Sequence, residues 1–105
     1  MIVNRQTMVA KRGGDEAGPS HAKLLSLLQE FRERFSSPYI KAWRLYSWPV
    51  GQPLDVIVQE IEYEDFAAYE QSTAEMYSHP DIPALQKKVR ELTAQAVTQE
   101  IWNLE

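Results

Sequence analysis

The stretch FAAYEQSTAEMYSHP, residues 66–80, holds two side chains that could do chemistry, Tyr69 and, ten positions on, His79. A tyrosine offers a hydroxyl on an apolar ring. A histidine offers an imidazole that ligates metals and exchanges protons near neutral pH. Each also has a structural reading. Tyr69 packs its ring against a sheet with its hydroxyl at the edge, unless a base or a pocket lies beside it. His79 closes a helix, where a partial positive charge suits the last carbonyls and Pro80 stops the chain. Further candidates are the polar residues that interrupt apolar stretches: Asn4, Gln6, Arg44, Gln59, Glu60, Gln99 and Glu100. Buried polar groups cost free energy unless paired. They therefore line a pocket for a small organic ligand with a polar head, or pair among themselves, as Arg44 with Glu60 or Glu100.

Other chemistries find little support. The chain has no cysteine and two histidines, so disulfides, thiolate metal sites and a cysteine nucleophile are excluded, and a metal site of several protein ligands is not expected. His21, near a helix start, is expected to be exposed. Ser20 and His21 are adjacent but lack an orienting acid for nucleophilic hydrolysis. Gly13 and Gly14 lack the lysine and spacing of a phosphate-binding loop. Glu62, Glu64 and Asp65 read as acidic residues at a helix start, complementing its dipole, in preference to paired catalytic carboxylates. The net charge of −4, from 15 acidic and 11 basic residues, argues against nucleic acid as a partner. No apolar run is long enough for a signal segment or a membrane span, which makes cytoplasmic the default compartment and a membrane partner unexpected.

The elements that must position these residues follow from periodicity. With 105 residues, 44% hydrophobic and 25% charged, residues 1–105 suit one globular domain. Residues 2–11 carry apolar and β-branched side chains on both alternating faces, Val3, Thr7 and Val9 against Ile2, Met8 and Ala10, as a strand covered on both sides does. After the glycine-rich 13–20, Ser20 is a candidate N-cap for a helix of about 15 residues. Its core stripe is Leu24, Leu28, Phe31 and Phe35, with Leu25 and Leu27 beside it. Residues 39–48 and 54–62 form a hairpin around the turn PVGQP. Phe66, Tyr69, Thr73 and Met76 share one face of the next helix. Pro80 and Pro83 break it, and ALQKKVREL, 84–92, continues helically with Leu85, Val89 and Leu92 on one side. Residues 96–104 close the chain as a strand.

The order β-α-β-β-α-β, with its last helical region split, is the ferredoxin-like α+β arrangement, in which helices cover one face of a four-stranded antiparallel sheet. The other face is left over. Strands two and four carry Trp43, Tyr46, Trp48, Ile101 and Trp102, and alternation sends some of them there. So much apolar surface is unusual on an isolated domain, and a homodimer with sheets packed face to face, burying at least roughly 1,200 Å², would cover it.

With this pattern the chain resembles the dimeric α+β barrel superfamily over residues 2–104, and is most similar to small NIPSNAP-type domains. The features that carry the likeness are the hairpin in WPVGQPLDVIVQEIEY, then EDFAAYEQ, the helix-break-helix with HPD, and the strand in VTQEIWNL. The resemblance implies a fold and a dimer more than a reaction. A further similarity is to haem-degrading and antibiotic-biosynthesis-type monooxygenases. The haem-degrading pattern pairs an Asn-Arg first strand with a helix F-x-x-W-x-x-S that ends in histidine. VNRQT supplies Asn4 and Arg5, and the helix supplies Phe66, Ser72 and His79, with Tyr69 where the pattern has tryptophan. Carried over, His79 would be the axial ligand of a haem and Asn4 would lie near the distal ligand.

Three functions follow. The first is a small-molecule binder that the resemblance makes monooxygenase-like and independent of any cofactor, with Asn4, Tyr69, His79 and Arg44 as candidate site residues. The second is a haem binder or degrader using His79. The third is a non-catalytic dimeric interaction module, which expects no enclosed cavity of roughly 300 Å³ or more beside Tyr69.

Overall fold

A computed structural model describes residues 1–11, 18–47, 56–94 and 96–104, the side chains of residues 18–20 excepted. Most of the glycine-rich stretch, Trp48 and the PVGQP turn lie outside the described residues; Ser20, expected as a helix N-cap, lies instead within a helix that begins at Gly18. The elements run β1 (Ile2–Val9), α1 (Gly18–Arg34), β2 (Ile40–Ser47), β3 (Val56–Tyr63), α2 (Phe66–Ser78), α3 (Ile82–Leu92) and β4 (Thr98–Asn103). The sheet is antiparallel with strand order β2-β3-β1-β4. That is the ferredoxin-like arrangement expected, with the second helical region divided in two.

The core fills the space between one sheet face and the helices. Met8, Ala10 and Ile57 of the sheet pack with Leu24 and Leu28 of α1. Leu27 and Phe31 meet Ile82 and Leu85 of α3. Ile2, Ile61 and Tyr63 meet Ala68 of α2. The stripe assigned to α1 is buried throughout, Phe35 included. The helix also starts earlier than expected, at Gly18, which puts His21 at i, i+3 and i+7 with Leu24 and Leu28. His21 is buried, 3% exposed, not solvent-facing.

Several expectations are corrected. Phe66 does not face the core but is 52% exposed. The buried residues of α2 are the small Ala68 and Ser72, so the helix approaches the sheet on their side, and Phe66 stands about two-fifths of a turn from the centre of that face. Pro83 does not break α3 but lies in its first turn, where a missing N–H costs nothing. Asp65 is the N-cap of α2 and accepts from the Ala68 N–H at 2.8 Å. Glu62 is not at the helix start but on β3.

The sheet also differs from a doubly covered one. Val3, Arg5, Thr7 and Val9 of β1 share the face without helices with Glu60 and Glu62, Arg44 and Tyr46, and Glu100 and Trp102, by strand register. Of the aromatic residues in doubt, Tyr46 and Trp102 thus lie on the uncovered face, and Trp43 on the helix side. Every residue of β4 is exposed in the single chain.

Candidate functional site

Between the covered face of the sheet, α2 and α3 lies a cleft of about 480 Å³. Strand pleat decides what reaches it. Side chains directly opposite across antiparallel strands share a face, and the register places Trp43, Ile61, Asn4 and Ile101 in one row and Leu45, Gln59, Gln6 and Gln99 in the next. Both rows face the helices. Asn4, Gln6, Gln59, Gln99 and Trp43 line the cleft from the sheet; Tyr69, Thr73 and Met76 line it from α2.

The polar lining is a chain of hydrogen bonds. Trp43 Nε1 donates to Gln59 Oε1 at 2.9 Å, and Gln59 Nε2 to Gln6 Oε1 at 2.8 Å. Gln6 Nε2 donates to Gln99 Oε1 at 3.2 Å, and Gln99 Nε2 reaches the Tyr69 hydroxyl at 3.5 Å, the long last link. Three glutamines from three strands thus satisfy one another where a single buried amide would be costly. Asn4 is different. It is 4% exposed, lines the cleft, and its Oδ1 meets no hydrogen-bond partner. An acceptor taken out of water and left open costs free energy.

Tyr69 is held between two aromatic rings. Its ring meets that of Tyr63 at 5.4 Å and 81°, and that of Phe66 at 5.4 Å and 42°. Burial pushes the Tyr63 hydroxyl up to about 12, the neighbouring Ser72 hydroxyl offsetting part of the rise. Tyr63 is therefore a neutral wall of the site.

Of the four candidates, the structure brings Asn4 and Tyr69 to one cleft and places two elsewhere. His79 is the C-cap of α2, not a cleft-lining side chain. Its Nδ1 accepts from the Asp81 N–H at 3.2 Å, and its ring meets Phe35 edge-on at 6.3 Å. It joins the C-terminus of α2 to the N-cap residue of α3, the helix-end position expected of it. Arg44 lies on the uncovered face. Its guanidinium binds Glu62, and its Nε donates to Tyr46 Oη at 3.1 Å. Glu60, expected to pair with Arg44, is held chiefly by Arg5, whose Nε and terminal nitrogen reach one carboxylate oxygen at 2.9 and 2.7 Å; Arg44 is 3.8 Å from the other.

Trp43 as the head of the chain, and the glutamines as one unit, were not foreseen. The signal was there in part: Gln6, Gln59 and Gln99 interrupt three separate strands, and only the register shows that they are neighbours.

No family model matches the chain, and no curated protein matches it in sequence. Solved structures do match. A NIPSNAP domain protein from Burkholderia xenovorans superposes with a TM-score of 0.77 at 12% identity, over 100% of this chain and 95% of that one. An antibiotic biosynthesis monooxygenase gives 0.72 at 15% identity, over 100% and 99%. A cofactor-independent oxygenase from Streptomyces nogalater gives 0.73 at 12% identity, over 98% and 91%. The chain therefore has the fold that NIPSNAP proteins and antibiotic-biosynthesis-type monooxygenases share.

Proposed function

We propose that the chain binds a small uncharged organic molecule in the cleft, through Asn4 and Tyr69, and oxidises it as a cofactor-independent monooxygenase-like enzyme. The observation that carries the binding is the open Oδ1 of Asn4, buried at 4% exposure beside a cleft of about 480 Å³, within the usual size range of ligand sites. The ligand offers Asn4 a hydroxyl or N–H and lays an apolar body against Met8, Phe31 and Met76. Among the described residues Arg90 is the one charged residue lining the cleft, and it is exposed, so a charge on the ligand's inner end would go uncompensated.

The oxidation rests on the likeness to the Streptomyces oxygenase. In such chemistry the electrons come from the ligand: a CH₂ becomes a carbonyl, one atom of dioxygen enters the ligand and the other leaves as water. The protein supplies a cleft and fixed polar groups.

The working unit in this reading is a homodimer. Tyr46 and Trp102, 43% and 55% exposed on the uncovered face, and the exposed strand β4 would be covered by the same face of a second copy.

Thermal denaturation across a panel of neutral hydroxylated aromatic compounds tests the binding. A ligand at 100 times its Kd stabilises by about 2.7 kcal/mol, a shift of many degrees in a domain of this size, and Asn4→Leu should abolish it. Oxygen uptake with the stabilising compounds tests the reaction. No stabilisation by any member of the panel rejects the site.

A further inference from the structure

We infer that the chain Trp43–Gln59–Gln6–Gln99–Tyr69 has a fixed direction, and that this direction makes Tyr69 a hydrogen-bond donor to an acceptor oxygen on the ligand. The inference rests on the cleft being a ligand site and names the kind of atom the ligand presents at its Tyr69 end.

The direction follows from donor chemistry. An indole nitrogen only donates, so the atom of Gln59 at 2.9 Å from Trp43 Nε1 is the oxygen. The other end of that amide is then the NH₂, and its neighbour on Gln6, at 2.8 Å, is an oxygen in turn. The same reasoning passes through Gln6 to Gln99 at 3.2 Å. Turning any one amide over would set two NH₂ groups, or two oxygens, against each other. Gln99 thus offers its NH₂ to the Tyr69 hydroxyl, which accepts on oxygen. The phenolic hydrogen has no place in the chain and is left to donate into the cleft. Gln6, Gln59 and Gln99 are positioning residues: they act through Tyr69.

The cleft therefore presents an acceptor at Asn4 Oδ1 and a donor at Tyr69 Oη. It selects a neutral molecule with a carbonyl or ether oxygen at the Tyr69 end over a hydrocarbon of the same shape.

The test uses two probes that differ by one oxygen, 1-tetralone and tetralin, titrated into the full chain and followed by NMR chemical shifts. The ketone should bind about fivefold tighter than the hydrocarbon, the ratio that one neutral hydrogen bond supplies. Tyr69→Phe should bring the ratio to one with the tetralin affinity unchanged. Gln6→Glu separates the relay from Tyr69 itself. A carboxylate only accepts, so it draws the NH₂ of both Gln59 and Gln99. Gln99 then turns its oxygen to Tyr69, the phenolic hydrogen is drawn away from the cleft, and the ratio falls to one although Tyr69 is intact. Gln59→Glu reports the same reversal from one strand away, so misfolding of one variant leaves the other to decide. A ketone preference that survives the carboxylate variants overturns the relay, as does tetralin binding with no ketone preference in the unaltered chain. Failure of both probes to bind where hydroxylated aromatics do stabilise the chain overturns Tyr69 as the ketone subsite; failure of the probes and of that panel together overturns the cleft as a site.

Discussion

Asn4 sits where stability and binding pull apart. Its Oδ1 is buried with no partner, a cost of about 1–3 kcal/mol for a polar group of this kind. Asn4→Leu, which removes the desolvated oxygen and keeps the branched shape, should raise stability by about 1–2 kcal/mol while abolishing ligand binding. A fall in melting temperature would mean that the amide is already paired. Tyr63 gives a second check. Its pKa is raised from 10.0 to about 12, chiefly by burial, so the native chain holds a proton that the unfolded chain has released. The stability this contributes is complete below about pH 10 and is lost as pH rises through about 12. In an absorbance titration of tyrosinate, one of the five tyrosines should lag the others, and Tyr63→Phe should remove the lagging step. At this scale residue type was a fair guide and spacing was not. Ten residues from Tyr69 to His79 are about two and three-quarter turns, which already sets the two side chains about a quarter turn apart. The helix then ends at Ser78, with His79 extended at φ −73 and ψ 128, and the ring turns to Phe35.

Among the elements, α2 does the most to shape the cleft and depends on one cap. Asp65→Ala removes the acceptor of the Ala68 N–H and should cost about 1 kcal/mol. Because the same turn sets Tyr69, the 1-tetralone preference should weaken with it. Chemical denaturation and the probe titration read the two effects separately; an unchanged midpoint would show that water replaces the cap. The existence and type of every described element were legible from periodicity. The facing of α2 was legible only in part, because the stripe of large residues is not the most buried one. The helix instead rests on Ala68 and Ser72, and the larger Tyr69, Thr73 and Met76 border a space that the helix leaves open. Periodicity finds the apolar side of a helix but not how closely that side approaches its sheet. The facing of Arg44 was illegible for a related reason: alternation separates two faces of a strand without saying which one the helices cover.

For the molecule as a whole, the uncovered sheet face carries the charge row Arg44, Glu60, Arg5 and Glu100, one residue from each strand. Burial pushes the Glu60 carboxyl up, but hydrogen bonds from Arg5 and Tyr46 and the charges of Arg5 and Arg44 outweigh it, leaving it below its ordinary value. The stability this contributes is present above the unfolded carboxyl pKa of 4.5 and is lost as pH falls through the lower native value. Glu60→Gln should flatten the acid limb of a stability profile. The proposed dimer is read on the same face. Light scattering should return twice the 12.1 kDa of one chain. Val58→Lys, which sets a charge beside Tyr46 and Thr7, should return one chain length while leaving the 1-tetralone preference intact. A single-chain mass for the unaltered protein at every concentration rejects the dimer. Sequence alternation foresaw surplus apolar surface, but not that ion pairs would run across its middle, since pairing is a property of register.

The amide chain has a consequence for the order in which the molecule is made. Gln6 and Gln99 are 93 positions apart, and the strands that carry them lie at opposite ends of the sequence. Pairings this distant close large loops and are slow to form. The sheet can gather β2, β3 and β1 and bury most of the core while Tyr69 still has no amide beside it. Only when the last strand docks does its hydroxyl acquire a direction. A ketone that senses that direction therefore distinguishes finished chains from nearly finished ones, and the rate at which its binding appears during refolding times the final step.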